Sequence, residues 1–261
     1  MSYRKILLER DDFIAHLILN YPENLNAMDL EMQEELLKAL LSLSKDSAIR
    51  VIVLRGAGRA FSAGGDIHLM NESLGKDVYG IMKNWIQRMH LLELQMRTIR
   101  KPVIASVQGV ASGIGFSLAL SCDLVLAAEN ARFNQSFIRL GLTSEGTYFL
   151  PRVVGILKAA ELMFLGEEID AHQARDLGIV NWVVPTEKLE EETDRLARRL
   201  GNGPTEALGR IKALLNKSFS QSLNQHLQEE CEMIAQSATG KNFEEGVKAF
   251  LEKREPKFQA K

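Results

Sequence analysis

Two glycine-rich segments, each closing a strand-like apolar run, constrain this chain more than any other feature. Val51-Ile52-Val53-Leu54 leads to Phe61-Ser62-Ala63-Gly64-Gly65-Asp66-Ile67, and Val103-Ile104-Ala105-Ser106-Val107 leads to Gly109-Val110-Ala111-Ser112-Gly113-Ile114-Gly115. Each then opens into a helical pattern. Glycine in such a place lets a backbone turn tightly or approach another group closely. Strand, small-residue loop and helix, repeated in this order, imply an α/β fold with mainly parallel strands. Two such loops facing each other would offer two unshielded backbone N–H groups to one oxygen, the device that stabilises charge developing on a carbonyl.

The remaining periodicity fills in the frame. Residues 4–21 read as two strands around the Asp11-Asp12 turn. Asp29 starts a helix with Leu30, Leu36, Leu37, Leu40 and Leu41 at helical spacing. A short helix follows Asp66, and a long amphipathic one spans 77–99 until Pro102 breaks it. A small-residue helix runs through Ser121, and Leu124-Val125-Leu126-Ala127-Ala128 is another strand. Beyond about residue 155 helical patterns dominate, with one strand-like stretch over 179–184. Gly201-Asn202-Gly203-Pro204 is the clearest break, followed by helices expected near 205–218, 221–238 and 242–253. The expected division is a catalytic core over 1–200 and a helical C-terminal section over 201–261. Three short helices carrying Leu, Ile and Phe cannot bury those faces alone and must pack on the core or on another subunit.

Composition excludes several classes. A formal net charge of -2 gives no electrostatic case for nucleic acid or an anionic membrane as partner. Cys122 and Cys231 form no C-x-x-C pair and have no metal-ligand spacing, so neither a disulfide framework nor a structural zinc site is expected. No 18-residue apolar run exists, Met1-Ser2-Tyr3-Arg4-Lys5 lacks a signal core, and Phe258-Gln259-Ala260-Lys261 is not a peroxisomal address. A cytoplasmic location is therefore expected. Gly141-Leu142-Thr143-Ser144-Glu145-Gly146 has the wrong spacing for a nucleophile elbow. His16, His68, His90, His172 and His226 are dispersed and carry no triad signature. Gly113-Ile114-Gly115 follows a strand, but Leu118 stands where a dinucleotide fingerprint needs its third glycine. No metal or redox cofactor is implied.

The two loops, with Lys101-Pro102-Val103-Ile104-Ala105 before the second, resemble the crotonase (enoyl-CoA hydratase/isomerase) superfamily. The likeness continues in Tyr21-Pro22-Glu23-Asn24-Leu25-Asn26-Ala27-Met28, Cys122-Asp123-Leu124-Val125-Leu126-Ala127, Leu150-Pro151-Arg152-Val153-Val154-Gly155 and Ala171–Val180, in register over nearly the whole chain. The resemblance implies a spiral of ββα units with a helical C-terminal trimerisation region, hence a homotrimer or a hexamer made of two trimers. It implies an acyl-CoA thioester as substrate and no cofactor beyond it. It implies that the N–H groups of Gly65 and of Ile114, which follows Gly113, grip the thioester oxygen. Pro22 to Ala27 and Ala63, Gly64, Asp66 and Ile67 fall where the family holds the adenine and pantetheine parts of CoA.

The acids depart from the family pattern. Typical hydratases carry one glutamate shortly after the second glycine loop and another twenty residues later; here those positions are Ser117 and Phe137. Neither exchanges a proton usefully at neutral pH, which argues against ordinary hydration, and both are expected only to contact substrate. One acid remains nearby. Glu145 stands where dienoyl-CoA isomerases and the ring-epoxide isomerases of phenylacetate breakdown carry an aspartate, although the loop is slightly shorter. A single carboxylate that takes a proton from one carbon and returns it to another suits a double-bond shift. The expected catalytic set is thus Glu145, Gly65 and Ile114. Three alternatives stay open: a hydratase, a non-catalytic acyl-CoA-binding protein, and a Glu145 that merely charges the N-terminus of a short helix. Phe133, Phe137 and Phe149 are candidate walls of an acyl pocket. A methyl on Gly65 is expected to be mild and a valine there severe.

Overall fold

The apolar runs Ile14–Leu19, Val51–Leu54 and Val103–Val107 are buried on both sides, which is why they read as continuous rather than alternating. The computed structural model describes residues 3–259. Met1, Ser2, Ala260 and Lys261, on which the reading of targeting signals partly rests, lie outside the described residues. The strands are β1 (Ile6–Asp11), β2 (Ile14–Leu19), β3 (Val51–Gly56), β4 (Val103–Val107), β5 (Val110–Ser112), β6 (Leu124–Ala128), β7 (Arg132–Asn134), β8 (Ile169–Asp170) and β9 (Trp182–Val184). The helices are α1 (Leu30–Lys45), α2 (Ile67–Ser73), α3 (Val78–Thr98), α4 (Ile114–Ser121), α5 (Leu150–Val154), α6 (Ile156–Leu165), α7 (Ala171–Asp176), α8 (Leu189–Gly201), α9 (Thr205–Lys217), α10 (Leu223–Ala238) and α11 (Lys241–Glu252).

Two sheets carry the fold. The larger has the order β1-β2-β3-β4-β6-β9, parallel throughout except for the β1–β2 hairpin; the smaller has the order β5-β7-β8. After β4 the chain crosses into the small sheet as β5 and then enters α4. After β6 it crosses again as β7. The first loop does the same in miniature, because Ser62 bridges Ala111 of β5 before α2 begins. Strand, short strand, helix is the repeating unit, so the ββα spiral implied by the family resemblance is the observed architecture. β5 lies within the stretch read as the second glycine loop, and β7 and β8 are not anticipated, because two or three residues carry too little pattern to register as a strand.

In β3, Ile52 and Leu54 join a core with α1, α3 and α4, while Val51 and Val53 face Ile14, Ile104 and Ala197 of α8. Helix starts are capped by the residues the sequence places there. Asp29 Oδ1 accepts from Met32 N at 2.8 Å, and Asp77 Oδ1 accepts from Gly80 N at 3.0 Å. The strand expected over 179–184 shrinks to β9, because Ile179 and Val180 instead close α7 through bonds to Ala174 O.

The C-terminal section is joined to the core by a buried lysine. Lys212 of α9 donates to Asp123 Oδ2 at 2.7 Å, to Met96 O at 2.6 Å and to Lys101 O at 3.1 Å. Asp123 in turn accepts from Val103 N at 2.8 Å and from Arg97 at 3.2 Å. Beyond this anchor α10 buries no residue and α11 only Ala249, while Leu223, Leu227, Ile234 and Phe250 are exposed.

Removing one partner of a buried pair strands the other. Lys212→Met is expected to lower stability by about 3 kcal/mol, read as a shift of the urea midpoint. A surface change such as Lys158→Met, on a pair exposed on both sides, should leave the midpoint within about 0.5 kcal/mol of the original.

Candidate active site

The first glycine loop is stitched to the segment before α1. Ala63 N donates to Leu25 O at 2.9 Å, Met28 N to Gly64 O at 2.8 Å and Asp66 N to Met28 O at 3.2 Å. Asn26, fully buried at positive φ, accepts from Tyr21 N and donates to Ala57 O, Ala60 O and Phe61 O. The sequence-separated stretches 22–28 and 63–67 therefore form one surface. Pro22 and Ile67 are exposed on it, Ala63 is half-buried, and Ala27 and Gly64 are buried. Asp66 caps α2, accepting from His68 N at 2.8 Å and Leu69 N at 3.3 Å, and takes a further bond from Asn24.

The second loop lies directly against the first. A Cβ on Gly64 would stand 2.7 Å from Ser112 O and 3.6 Å from Ile114 N, so only glycine, at φ +101°, permits this approach. Ile114 is the first residue of α4, where backbone N–H groups have no partner within the helix. Among the described residues, neither Gly65 N–H nor Ile114 N–H donates a hydrogen bond. Gly65 differs from its expectation. A methyl there would meet Trp85 Cη2 at 2.3 Å and Met70 Cε at 2.9 Å. Trp85 is fully buried and held by the Gln33 amide at 2.8 Å. Gly65→Ala is therefore not mild.

Beyond α4 opens a cavity of about 950 Å³. Ser117 lies three residues after Ile114, about 4.5 Å along the helix axis. Its oxygen stands 2.8 Å from where a Cβ on Gly146 would be, so the Glu145 loop rests on the first turn of α4. Glu145 lines the cavity and is 8% exposed. Both of its carboxylate oxygens lack a hydrogen-bond partner. It makes no capping hydrogen bond to the short helix α5 that follows. His90 Nε2, on the half-exposed side, comes to 3.6 Å from Glu145 Oε1.

Sequence reading missed a second acid. Glu93, on the buried face of α3, is 8% exposed, lines the same cavity and leaves Oε1 without a partner. The signal was available: Trp85, Met89, Leu92 and Met96 mark the apolar stripe, and Glu93 falls on it one turn after Met89. Burial pushes the Glu145 carboxyl up to about 8. Burial and then the nearby Glu145 push Glu93 up to about 9. The side-chain donor atoms of His90, Glu93 and Glu145 all lie within 4.8 Å of one another, which also makes this the place that could hold a metal ion.

The other candidates divide. Phe137 and Phe149 line the cavity, but Phe133 is core, stacked at 5.5 Å on Phe116. The ring of Phe137 also reaches the second loop, 3.3 Å from where a Cβ on Gly113 would be. Ser117 is fully buried, takes a bond from Gln135 Nε2 at 3.4 Å and does not line the cavity.

The model of the enoyl-CoA hydratase/isomerase family matches residues 9–261. The chain is 37% identical over 265 residues to the 1,2-epoxyphenylacetyl-CoA isomerase of Escherichia coli, covering 98% of each. It is 32% identical over 263 residues to the trans-2-decenoyl-[acyl-carrier-protein] isomerase of Streptococcus mutans, covering 100% of each. A solved enoyl-CoA hydratase from Polaromonas superposes with a TM-score of 0.94 at 35% identity, covering 97% of this chain and 99% of that one.

The two raised carboxyls set the sign of a pH effect. The folded state holds more protons than the unfolded one from the ordinary carboxylate value near 4.5 up to about 9. Their contribution to stability is full below that window and is lost as pH rises through about 8 and 9. Relative to wild type, the Glu93→Gln/Glu145→Gln double variant is expected to gain melting temperature steadily as pH is raised from 5 toward 9. A constant difference across that range would contradict the burial of these acids. Gly65→Ala should lower the melting temperature as well as activity, since Trp85 must move.

Proposed function

This chain belongs to the enoyl-CoA hydratase/isomerase family, and from that premise we propose that it shifts a carbon–carbon double bond in an acyl-CoA thioester with Glu145 as the proton carrier. Members of this family act on acyl thioesters as enzymes, so a purely acyl-binding role is set aside. One observation carries the choice of reaction: a carboxylate that is nearly buried, has no hydrogen-bond partner and lines the cavity beside the second glycine loop.

The steps follow from the geometry. The thioester oxygen accepts from Gly65 N–H and Ile114 N–H, the two donors left without a partner where the loops meet. Negative charge moving onto that oxygen is stabilised, so a proton on carbon 2 becomes removable. Ionised Glu145 takes it, and protonation at carbon 4 moves the double bond into conjugation with the carbonyl. Burial raises the basicity of Glu145, which helps it remove a weakly acidic carbon-bound proton. The surface formed by 22–28 and 63–67 receives the CoA moiety, and the cavity receives the acyl chain. Hydration is the second reading, but the two positions at which the family carries its hydratase glutamates hold Ser117 and Phe137, neither of which exchanges a proton. The exposed apolar faces of α10 and α11 are covered, on this reading, by other copies in a trimer or a pair of trimers.

Glu145→Gln keeps size and removes the base, so turnover of a 3-enoyl-CoA should fall by about 10²-fold or more while binding of the CoA ester stays nearly intact. A trans-2-enoyl-CoA offered in water should yield little 3-hydroxyacyl-CoA; rapid hydration would hand the function to the second reading. Because the base must be ionised, kcat/KM should rise with pH toward about 8. A stable monomer at micromolar concentration in sedimentation would contradict the assembly.

A further inference from the structure

Resting on that reading of Glu145, we propose that Glu93 is the second proton carrier of the cavity: it delivers the proton to the substrate while Glu145 receives the one removed. Three observations carry this. Glu93 and Glu145 come from different elements, α3 and the loop before α5, yet their carboxyl oxygens lie within 4.8 Å. Both residues are about nine-tenths buried and line one cavity, and Glu93 Oε1 and both Glu145 oxygens have no hydrogen-bond partner. Among the described residues, neither arginine that lines the cavity pairs with them. Arg97 is held by Asp123 and Asn216, and Arg152 lies over the Tyr148 ring and donates to Tyr148 O. The other titratable groups lining the cavity are His90, Asp123, Cys122 and Tyr148. Asp123 is engaged by Lys212 and Arg97.

Two carboxylates this close and this buried cannot both ionise. With Glu145 as the base, as proposed above, the remaining proton belongs on Glu93. The raised proton affinity of both groups, higher at Glu93, agrees with that placement. Once Glu145 is ionised, the site holds one base and one acid.

The reaction balances. The C–H bond at carbon 2 breaks, its electrons enter the enolate, and its proton goes to the Glu145 carboxylate. The enolate electrons then form a C–H bond at carbon 4 with the proton of the Glu93 carboxylic acid, which becomes a carboxylate. Glu145 then gives its proton to solvent and Glu93 takes one from solvent, which restores the starting state. One proton leaves the substrate and one arrives, and no other reactant is needed.

The test uses a 3-enoyl-CoA carrying deuterium in place of the one carbon-2 hydrogen that is removed, turned over in ordinary water, with the label in the product read by mass spectrometry at early times. Wild type should lose the label, since the delivered proton is not the one removed. Glu93→Gln should slow turnover by about 10²-fold. The product it still forms should keep deuterium, now on carbon 4, because Glu145 alone must return what it took. The wild-type pH profile should fall again on the alkaline side, and that limb should vanish in Glu93→Gln. Wild type that retains the label overturns the proposal, whether or not the variant folds. So does a Glu93→Gln protein with the rate, label and pH profile of wild type. Loss of wild-type activity in EDTA, restored by zinc, would make the cluster a metal site and overturn it too. Full activity in Glu145→Gln would overturn the base assignment and this inference together; an inactive Glu145→Gln beside an unchanged Glu93→Gln would overturn only this one.

Discussion

Ser62 and Ala111 face each other across two backbone hydrogen bonds, Ser62 N to Val110 O and Ser112 N to Ser62 O, each 3.0 Å. This bridge fixes the first glycine loop to the second, and through them joins two turns of the spiral. The join is close enough to exclude side chains. A Cβ on Gly115 would stand 2.6 Å from Ser62 O, and one on Gly109 would stand 2.0 Å from Arg59 O. The glycines are thus needed for backbone-to-backbone contact. Their consequence is that the start of α4 and the turn at Gly65 are held in one rigid frame, with two N–H groups left over. On the proposed reading, a flexible loop would have to order those donors during the reaction, whereas the sheet holds them in place beforehand.

The acid pair sits at the opposite extreme of satisfaction. Among the described residues, the buried side-chain polar atoms without a partner are Arg55 Nε, Glu93 Oε1, both Glu145 oxygens and Thr205 Oγ1. Three of these five belong to one cavity. Native proteins leave few such groups unpaired, so their concentration at one place marks a site where bonding capacity is held in reserve. The fold tolerates this because the core around it is large and otherwise well paired. Asp66 and Asp123, acids of the same type, show the contrast: each spends its oxygens on helix or strand N–H groups and on neighbouring side chains.

Sequence reading recovered what depends on local pattern. Strand runs, capped helix starts, the break before α9 and the pairing of glycine loops all rest on residues adjacent in the chain. The small sheet was lost because β5, β7 and β8 are two or three residues each and gain their strand character only from partners elsewhere in the chain. The methyl tolerance expected at Gly65 failed for a similar reason: Trp85, twenty residues on, fills the space, and nothing near Gly65 announces it. Glu93 is a different case. A single acid within an amphipathic helix is ordinary, and only its angular position among Trp85, Met89 and Met96 sets it apart. Recognising it required turning the helix by residue count instead of scanning for motifs.

The Lys212 anchor bears on how the molecule is made. Asp123 and Lys212 are separated by 89 positions in the chain. During synthesis the aspartate, the N–H of Val103 and the carbonyls of Met96 and Lys101 all emerge first, and the ammonium that joins them arrives only when α9 does. A growing chain can assemble the spiral up to α8 but must keep this corner hydrated until then. Closure of the interior is therefore timed by the arrival of a residue near the end of the polypeptide, and only α10 and α11 follow it.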